Sequence, residues 1–287
     1  MRRREFVLGT AALSFSGSHA TARPDADSYM DRMERELSAR IGVYVKNLGT
    51  GQAYQRRAGE RFAMCSTFKA SLAALCLWRS DHGELDLNEA LAFNGMSFLP
   101  TSPVTKDHAS AGKMDIRSLC KAAVEFSDNT AANLLLARVG GPKAVTAFFR
   151  EMGDDISRLD RIELALNSNI PGDERDTTTP LAMAHNLQQM TMPSGVLSVA
   201  STDLLTKWMR NEQNAKNRIR AAVSSDWVVA NKPGTTPNGA ANDIAALWSP
   251  GGDALVMAIY IDTEKGNTRA AVAAIRDISA SALGMVS

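Results

Sequence analysis

Ser66-Thr67-Phe68-Lys69 sets a hydroxyl and an amine three residues apart, a separation that puts both side chains on one face of a helix. A serine hydroxyl is a weak nucleophile, and a neighbouring unprotonated amine can take its proton; burial of that lysine would lower its pKa toward this use. If Ser66 lies in the first turn, unpaired backbone N–H groups and the positive helix end face any oxyanion formed there. The chemistry on offer is nucleophilic attack by Ser66 with a stabilised oxyanion. Spacing alone does not single this serine out, because Ser110-Ala111-Gly112-Lys113 and Ser118-Leu119-Cys120-Lys121 repeat it.

Two later segments supply the context. Ser127-Asp128-Asn129 lies between two helix-like stretches, where short polar residues suit a tight turn and Asp128 could simply cap the helix that begins near Thr130. Lys232-Pro233-Gly234-Thr235-Thr236 follows the apolar run 227–230, as a strand carrying a lysine and a closely approached backbone would. S-x-x-K, then S-D-N, then K-x-G, in this order and at these separations, is the motif set shared by class A β-lactamases and penicillin-binding proteins. Between the second and third, Arg161-Ile162-Glu163-Leu164-Ala165-Leu166-Asn167 resembles the R-x-E-x-x-L-N segment that opens the omega loop of class A β-lactamases, and Asp176-Thr177-Thr178-Thr179-Pro180 resembles that loop's close. Similar order and spacing run from 40 to 284, nearly the whole chain.

The resemblance implies roles. Ser66 attacks the lactam carbonyl, Lys69 belongs to the proton relay, and Ser127 passes a proton to the leaving lactam nitrogen. Asn129 hydrogen-bonds the substrate's acylamino side chain. Glu163 and Asn167, four apart and so able to hold one water from a single helical turn, position the water that releases the acyl group. The oxyanion hole is the backbone N–H of Ser66 and Thr235, and Lys232, helped by Arg218, meets the substrate carboxylate. Arg161 and Asp176 are placed to pair and close the omega loop over 161–176. Such a reaction calls for no cofactor and no metal, and the histidines show no paired ligand spacing.

Departures from the family pattern bear on specificity. Pro233 stands where the family carries a threonine or serine hydroxyl for the substrate carboxylate. The expectation is that proline is admissible because its missing N–H would share the orientation of Thr235, toward an open edge, and that Thr235 or Thr236 partly replaces the hydroxyl. Thr101 stands at a commonly aromatic position. Cys65 resembles the cysteine that carbapenem-hydrolysing relatives bridge to the K-T-G strand, but Thr236 occupies the partner position. Cys120 sits where many relatives have a helix–helix disulfide, yet the usual partner position is Ala73 and the nearest thiol is Cys76; a Cys76–Cys120 bond stays open.

Hydrophobic periodicity predicts a helix over 28–38, strands over 41–45 and 52–55, helices over 67–78, 116–125, 130–139, 142–152, 180–190 and 202–209, strands over 227–230, 243–248 and 254–261, and a closing helix over 268–283. Strands at both ends can join one antiparallel sheet. The expected fold is therefore α/β of the α+β type: an antiparallel sheet flanked by terminal helices (23–60 plus 210–287), with an inserted all-helical domain (61–209) and the active site at the interface.

Composition fits a globular enzyme acting on small molecules. The chain has 287 residues, 45% hydrophobic and 22% charged, which argues against disorder. A formal charge of +1 supplies no positive field to hold nucleic acid or an anionic membrane. Clustered Arg2-Arg3-Arg4, a short apolar run and Ala20-Thr21-Ala22 read as an export signal over 1–22, with Arg3-Arg4-Glu5-Phe6 resembling the twin-arginine type. The expectation is a periplasmic or secreted monomer with β-lactam substrates. Two other classes share the serine motifs: a penicillin-binding D-alanyl-D-alanine peptidase, expected to lack Glu163 and its loop, and a non-hydrolysing penicillin sensor.

Overall fold

A computed structural model describes residues 26–193, 195–264 and 266–286; the export segment 1–22 lies outside them. The elements in chain order are α1 (Ala26–Leu37), β1 (Ala39–Asn47), β2 (Ala53–Arg56), β3 (Phe62–Ala63), α2 (Phe68–Asp81), β4 (Ala90–Ala92), α3 (Pro103–Asp107), β5 (Lys113–Asp115), α4 (Ile116–Glu125), α5 (Asn129–Val139), α6 (Pro142–Glu151), β6 (Thr177–Thr178), α7 (Pro180–Thr191), α8 (Val199–Arg210), β7 (Val228–Thr235), β8 (Ala240–Trp248), β9 (Ala254–Thr263) and α9 (Thr268–Leu283). One five-stranded antiparallel sheet has the order β2-β1-β9-β8-β7. Sequence-distant ends thus pair directly, with Tyr44 opposite Ala258.

The central strands β8 and β9 are apolar nearly throughout because both faces are covered. One face (Ala241, Ala245, Leu247, Met257, Ile259, Ile261) packs with residues of α1 and α9. The other (Ile244, Ala246, Val256, Ala258, Tyr260) continues into the core shared by α2, α4, α5, α7 and α8. The helix α2 is buried on nearly every side, as a helix surrounded by others must be. It delivers the Ser66 segment to the edge strand β7.

The middle of the chain contains more strand than its periodicity suggested. The short pairs β3–β6 and β4–β5, and the five-residue helix α3, are too brief to leave a period of their own. The β3–β6 pair joins the residues just before Ser66 to those just after Asp176. Among the described residues no helix is long and apolar enough to cross a membrane. Cys65, Cys76 and Cys120 are free and buried, and burial, with the neighbouring Cys76, raises the Cys120 thiol well above its ordinary pKa.

Candidate active site

Ser66 sits in a 3-10 turn, Cys65–Thr67, that leads straight into α2. Cys65, in the left-handed region at φ 46°, makes the sharp entry, a conformation that is costly for a residue with a Cβ and is held by its surroundings. The surroundings are specific. Asn242 of β8 donates from Nδ2 to the carbonyls of Ala63 and Met64 at 2.9 and 3.2 Å. Thr67 Oγ1 donates to Met64 O at 2.8 Å and meets the Tyr260 hydroxyl at 3.0 Å. Gly234 of β7 closes the approach: a Cβ there would lie 2.7 Å from Met64 O and 3.2 Å from Ser66 N. Only glycine lets the strand come this close to the Ser66 backbone.

Lys69 is fully buried on the first turn of α2. Its Nζ lies 3.0 Å from Ser66 Oγ, 2.9 Å from Glu163 Oε1, 2.8 Å from Ser127 O and 2.5 Å from Asn129 Oδ1, with Ser127 Oγ at 3.4 Å. Burial pushes the amine's pKa down, and the Glu163 carboxylate opposes that shift. Five oxygens surround a group with at most three protons, so a proton could be handed on here with little movement. Ser127, also left-handed at φ 56°, stands between two amines, since Lys232 Nζ is 3.2 Å from its Oγ. Asp128 is the cap of α5, accepting from Ala131 N at 2.8 Å while also binding Thr105, so its reading as a structural residue is the one its contacts support.

Lys232, on β7, is fully buried. Burial lowers its pKa to about 7; Glu212 pulls it back up, and the cations Lys69 and Arg218 push it further down. Arg218 reaches the same strand from the turn before β7, donating to Asn242 O at 2.6 Å, Gly234 O at 3.3 Å and Thr235 Oγ1 at 2.7 Å. Its pKa is also lowered by burial. The side chain of Thr235 is exposed. Thr236, expected beside it as a second substitute hydroxyl, instead donates from Oγ1 to Asn167 O at 2.8 Å; the left-over hydroxyl of this strand is that of Thr235.

Strand β7 passes through Pro233 unbroken, with Pro233 opposite Asp243 and Thr235 opposite Ala241. Thr236 N donates to Ala240 O at 3.0 Å. Because donors alternate along a strand, the N–H of Thr235 and the nitrogen of Pro233 both face off the open edge, which is why the proline costs no ladder bond.

The 161–176 segment folds back over the site. Arg161 Nε lies 2.5 Å from Asp176 Oδ2, while Asp176 Oδ1 accepts from the backbone N–H of Asp160 and Arg161 at 2.8 and 2.9 Å. Glu163 and Asn167 do not share the helical turn expected of them. Glu163 precedes a 3-10 turn, Ala165–Asn167, across a cis peptide to Leu164. Asn167 Nδ2 nevertheless donates to Glu163 Oε2 at 2.6 Å. Its Oδ1 is buried and finds no donor among the described residues, so it is available to a water.

Sequence reasoning missed Asn133. Its side chain clasps the Glu163 backbone in both directions, donating to Glu163 O and accepting from Glu163 N, each at 2.9 Å. The available signal was its position four residues after Asn129 on α5, hence on the same face. Asn242, which helps set the Ser66 turn, was missed too, whereas the close approach of the backbone at Gly234 was expected.

Ser66, Thr101, Ser127, Asn129, Asn167, Arg218, Pro233, Thr235 and Thr236 line one cleft of about 650 Å³. Asn129 is placed there with Nδ2 on Pro100 O at 2.7 Å. Among the described residues no group of three His, Cys, Asp or Glu could hold a metal ion.

Fold and cluster together have the form of a serine acyl-transfer enzyme. A family model described as the Beta-lactamase enzyme family matches residues 25–286. A β-lactamase of Mycobacterium tuberculosis is 43% identical over 281 residues, covering 92% of this chain and 90% of its own. The carbapenem-hydrolysing β-lactamase KPC of Klebsiella oxytoca is 38% identical over 289 residues, covering 99% and 98%. Among solved structures, the last common ancestor of Gram-negative bacteria class A β-lactamase superposes with a TM-score of 0.86 at 40% identity, covering 90% of this chain and 98% of that one. The chain belongs to the class A serine β-lactamases.

Proposed function

We propose that this protein hydrolyses the amide bond of penicillin- and cephalosporin-type β-lactams through an acyl-enzyme on Ser66. The observation that carries this reading is the placement of Lys69 Nζ between Ser66 Oγ at 3.0 Å and Glu163 Oε1 at 2.9 Å. Lys69 gives a proton to Glu163, and its freed amine takes the proton of Ser66 as Oγ adds to the lactam carbonyl. Backbone N–H groups of Ser66 and Thr235 hold the oxyanion. Ser127 Oγ gives its proton to the lactam nitrogen as the ring C–N bond breaks and recovers one from Lys69, which then takes back the proton held by Glu163, so that Glu163 is again a carboxylate. Glu163 and Asn167 hold a water; Glu163 takes its proton as the oxygen adds to the ester, and Ser66 leaves reprotonated.

Lys232 and Arg218 supply positive charge for the substrate carboxylate, Thr235 supplies the hydroxyl that Pro233 lacks, and Asn129 faces the acylamino group. We place the division of labour at a sheet unit, 23–60 with 210–287, and a helical unit, 61–209. The chain is read as a monomer exported to the periplasm or medium by a twin-arginine type signal.

Turnover of a chromogenic cephalosporin by wild type beside Glu163→Ala tests the reading. Wild type is expected to turn over rapidly, and the variant to stop after one equivalent with the acyl mass retained on Ser66. Equal steady turnover by both would overturn the deacylation assignment, and a stoichiometric burst in wild type would favour a penicillin-binding peptidase or sensor.

A further inference from the structure

The omega loop is tied down twice, and only one tie was foreseen. Its neck is closed by Arg161 and Asp176. Its far side, three residues beyond Leu166, is fixed by Asn169, whose two amide hydrogens are both engaged: Nδ2 donates to Asp262 Oδ1 at 2.8 Å and to Asn238 O at 2.9 Å. Asn169 is left-handed at φ 46°, a conformation asparagine tolerates better than most residues but that still needs holding.

Asp262 is well suited to hold it. It lies near the end of β9, paired with Arg40 of β1 on one side and Ala240 of β8 on the other, so its backbone is part of the rigid centre of the sheet. Its second oxygen accepts from Arg40 Nη2 at 2.9 Å, and Arg40 is itself fixed by Glu60 at 3.0 Å and by the Phe62 ring at 4.6 Å. Next to this anchor, Asn167 O accepts from Thr236 Oγ1 at 2.8 Å and from Asn238 Nδ2 at 3.1 Å. The segment 167–169 is thereby docked on the β7–β8 turn, and the two ties bracket the stretch that carries Glu163 and Asn167.

We propose that Asp262, acting through Asn169, is a positioning residue for deacylation: it fixes Asn167 and the attacking water relative to Ser66, and contributes little to acylation. This rests on the proposed roles of Glu163 and Asn167. The asymmetry follows from the geometry: Glu163, which acylation also uses, is clasped by Asn133 of α5, and the other groups that form the acyl-enzyme are held by α2, α5 and β7, none of which depends on Asn169. Small misplacements of a reacting water are expensive in rate.

The test is rapid-mixing measurement of acylation and deacylation with a chromogenic cephalosporin, and intact mass at steady state, for Asp262→Ala, Asp262→Asn, Asn169→Ala and the double alanine variant. Asp262→Ala is expected to slow deacylation about tenfold to a hundredfold, to leave acylation within about twofold, and to accumulate acyl-enzyme. Asp262→Asn keeps an oxygen for Asn169 and restores most of the rate. The double variant is no slower than the worse single one, since both break one contact. Wild-type deacylation in Asp262→Ala, or equal slowing of both steps without rescue by Asp262→Asn, overturns the proposal. Glu163→Gln run in parallel separates the two readings: if it traps acyl-enzyme while Asp262→Ala deacylates normally, only the clamp fails, whereas free turnover by Glu163→Gln overturns the underlying assignment and the proposal with it.

Discussion

The Arg218 guanidinium donates to the Thr235 hydroxyl at 2.7 Å, two residues along the strand from the proline that interrupts the family's K-[TS]-G pattern. The cation and the one exposed hydroxyl of β7 therefore act as a unit at the mouth of the cleft. Thr235 can accept from Arg218 and turn its own hydrogen toward a substrate carboxylate. A hydroxyl at 233 would add a second donor beside it.

Pro233→Thr is accordingly expected to raise kcat/KM for carboxylate-bearing lactams about tenfold, the size of one hydrogen bond to a charged group, chiefly by lowering KM. Thr235→Val should lower it by a similar factor. Steady-state constants across penicillins and cephalosporins check both; unchanged values for Pro233→Thr would show that Thr235 already makes the whole contact.

Gly234→Ala attacks a different link. The added Cβ would meet Met64 O at 2.7 Å, so β7 and the Ser66 turn must separate. Overpacking of this kind costs about 1–3 kcal/mol in stability, and moving one oxyanion donor costs about a hundredfold in kcat. Urea unfolding and single-turnover acylation measure the two effects. Wild-type acylation in a folded Gly234→Ala protein would mean that the Thr235 N–H is not part of the oxyanion hole.

The Lys232 amine, lowered by burial to about 7 from its ordinary 10.5, should set an alkaline limb. It is charged below that pH and neutral above, so kcat/KM for carboxylate-bearing substrates falls as pH rises through about 7 in the free enzyme. Asp243, buried and raised to about 7, titrates in the same range and is coupled to it by opposite charge. Lys232→Arg isolates the cation, because arginine stays charged and the limb should move beyond pH 10 or so. A limb unmoved in Lys232→Arg assigns it elsewhere. The stability sign is opposite: with the folded pKa below the unfolded one, the charged amine weighs against folding below about 7, and that penalty is relieved as pH rises from 7 to 10.5.

Arg161→Ala removes the partner of a carboxylate whose side chain is fully buried, while the Arg161 side chain itself is 19% exposed. The uncompensated charge is expected to cost roughly 3 kcal/mol, offset in part by the two backbone N–H groups that remain on Asp176. Deacylation should slow more than acylation, because the loop carries both Glu163 and Asn167, which together hold the attacking water, and not Ser66. Denaturant midpoints and burst amplitudes report the two consequences; a variant as stable as wild type would show the pair to be solvated in effect.

The sequence by itself determined the longer helices, the main sheet strands and the residue types at the site. Helices with clear ends were legible to the residue, as in α4, where Asp115 caps the first turn by accepting from Ser118 N at 2.7 Å, and in α9. The order of motifs was enough to separate Ser66 from the serines at 110 and 118. What sequence could not decide depends on groups far apart in the chain meeting in space. Glu163 and Asn167 meet through a 3-10 turn and not a helix, because Asn133, thirty residues earlier, clasps the Glu163 backbone. The strand β7 ran past 230 to Thr235 because β8 pairs with it through Pro233, which no local propensity favours. Asp262 and Asn169 carry no motif at all, since a side chain that positions another is recognised only by its partner's location. Local spacing encodes which face a side chain takes; the tertiary structure alone fixes the distances, burial and opposing charges that turn those side chains into a cluster.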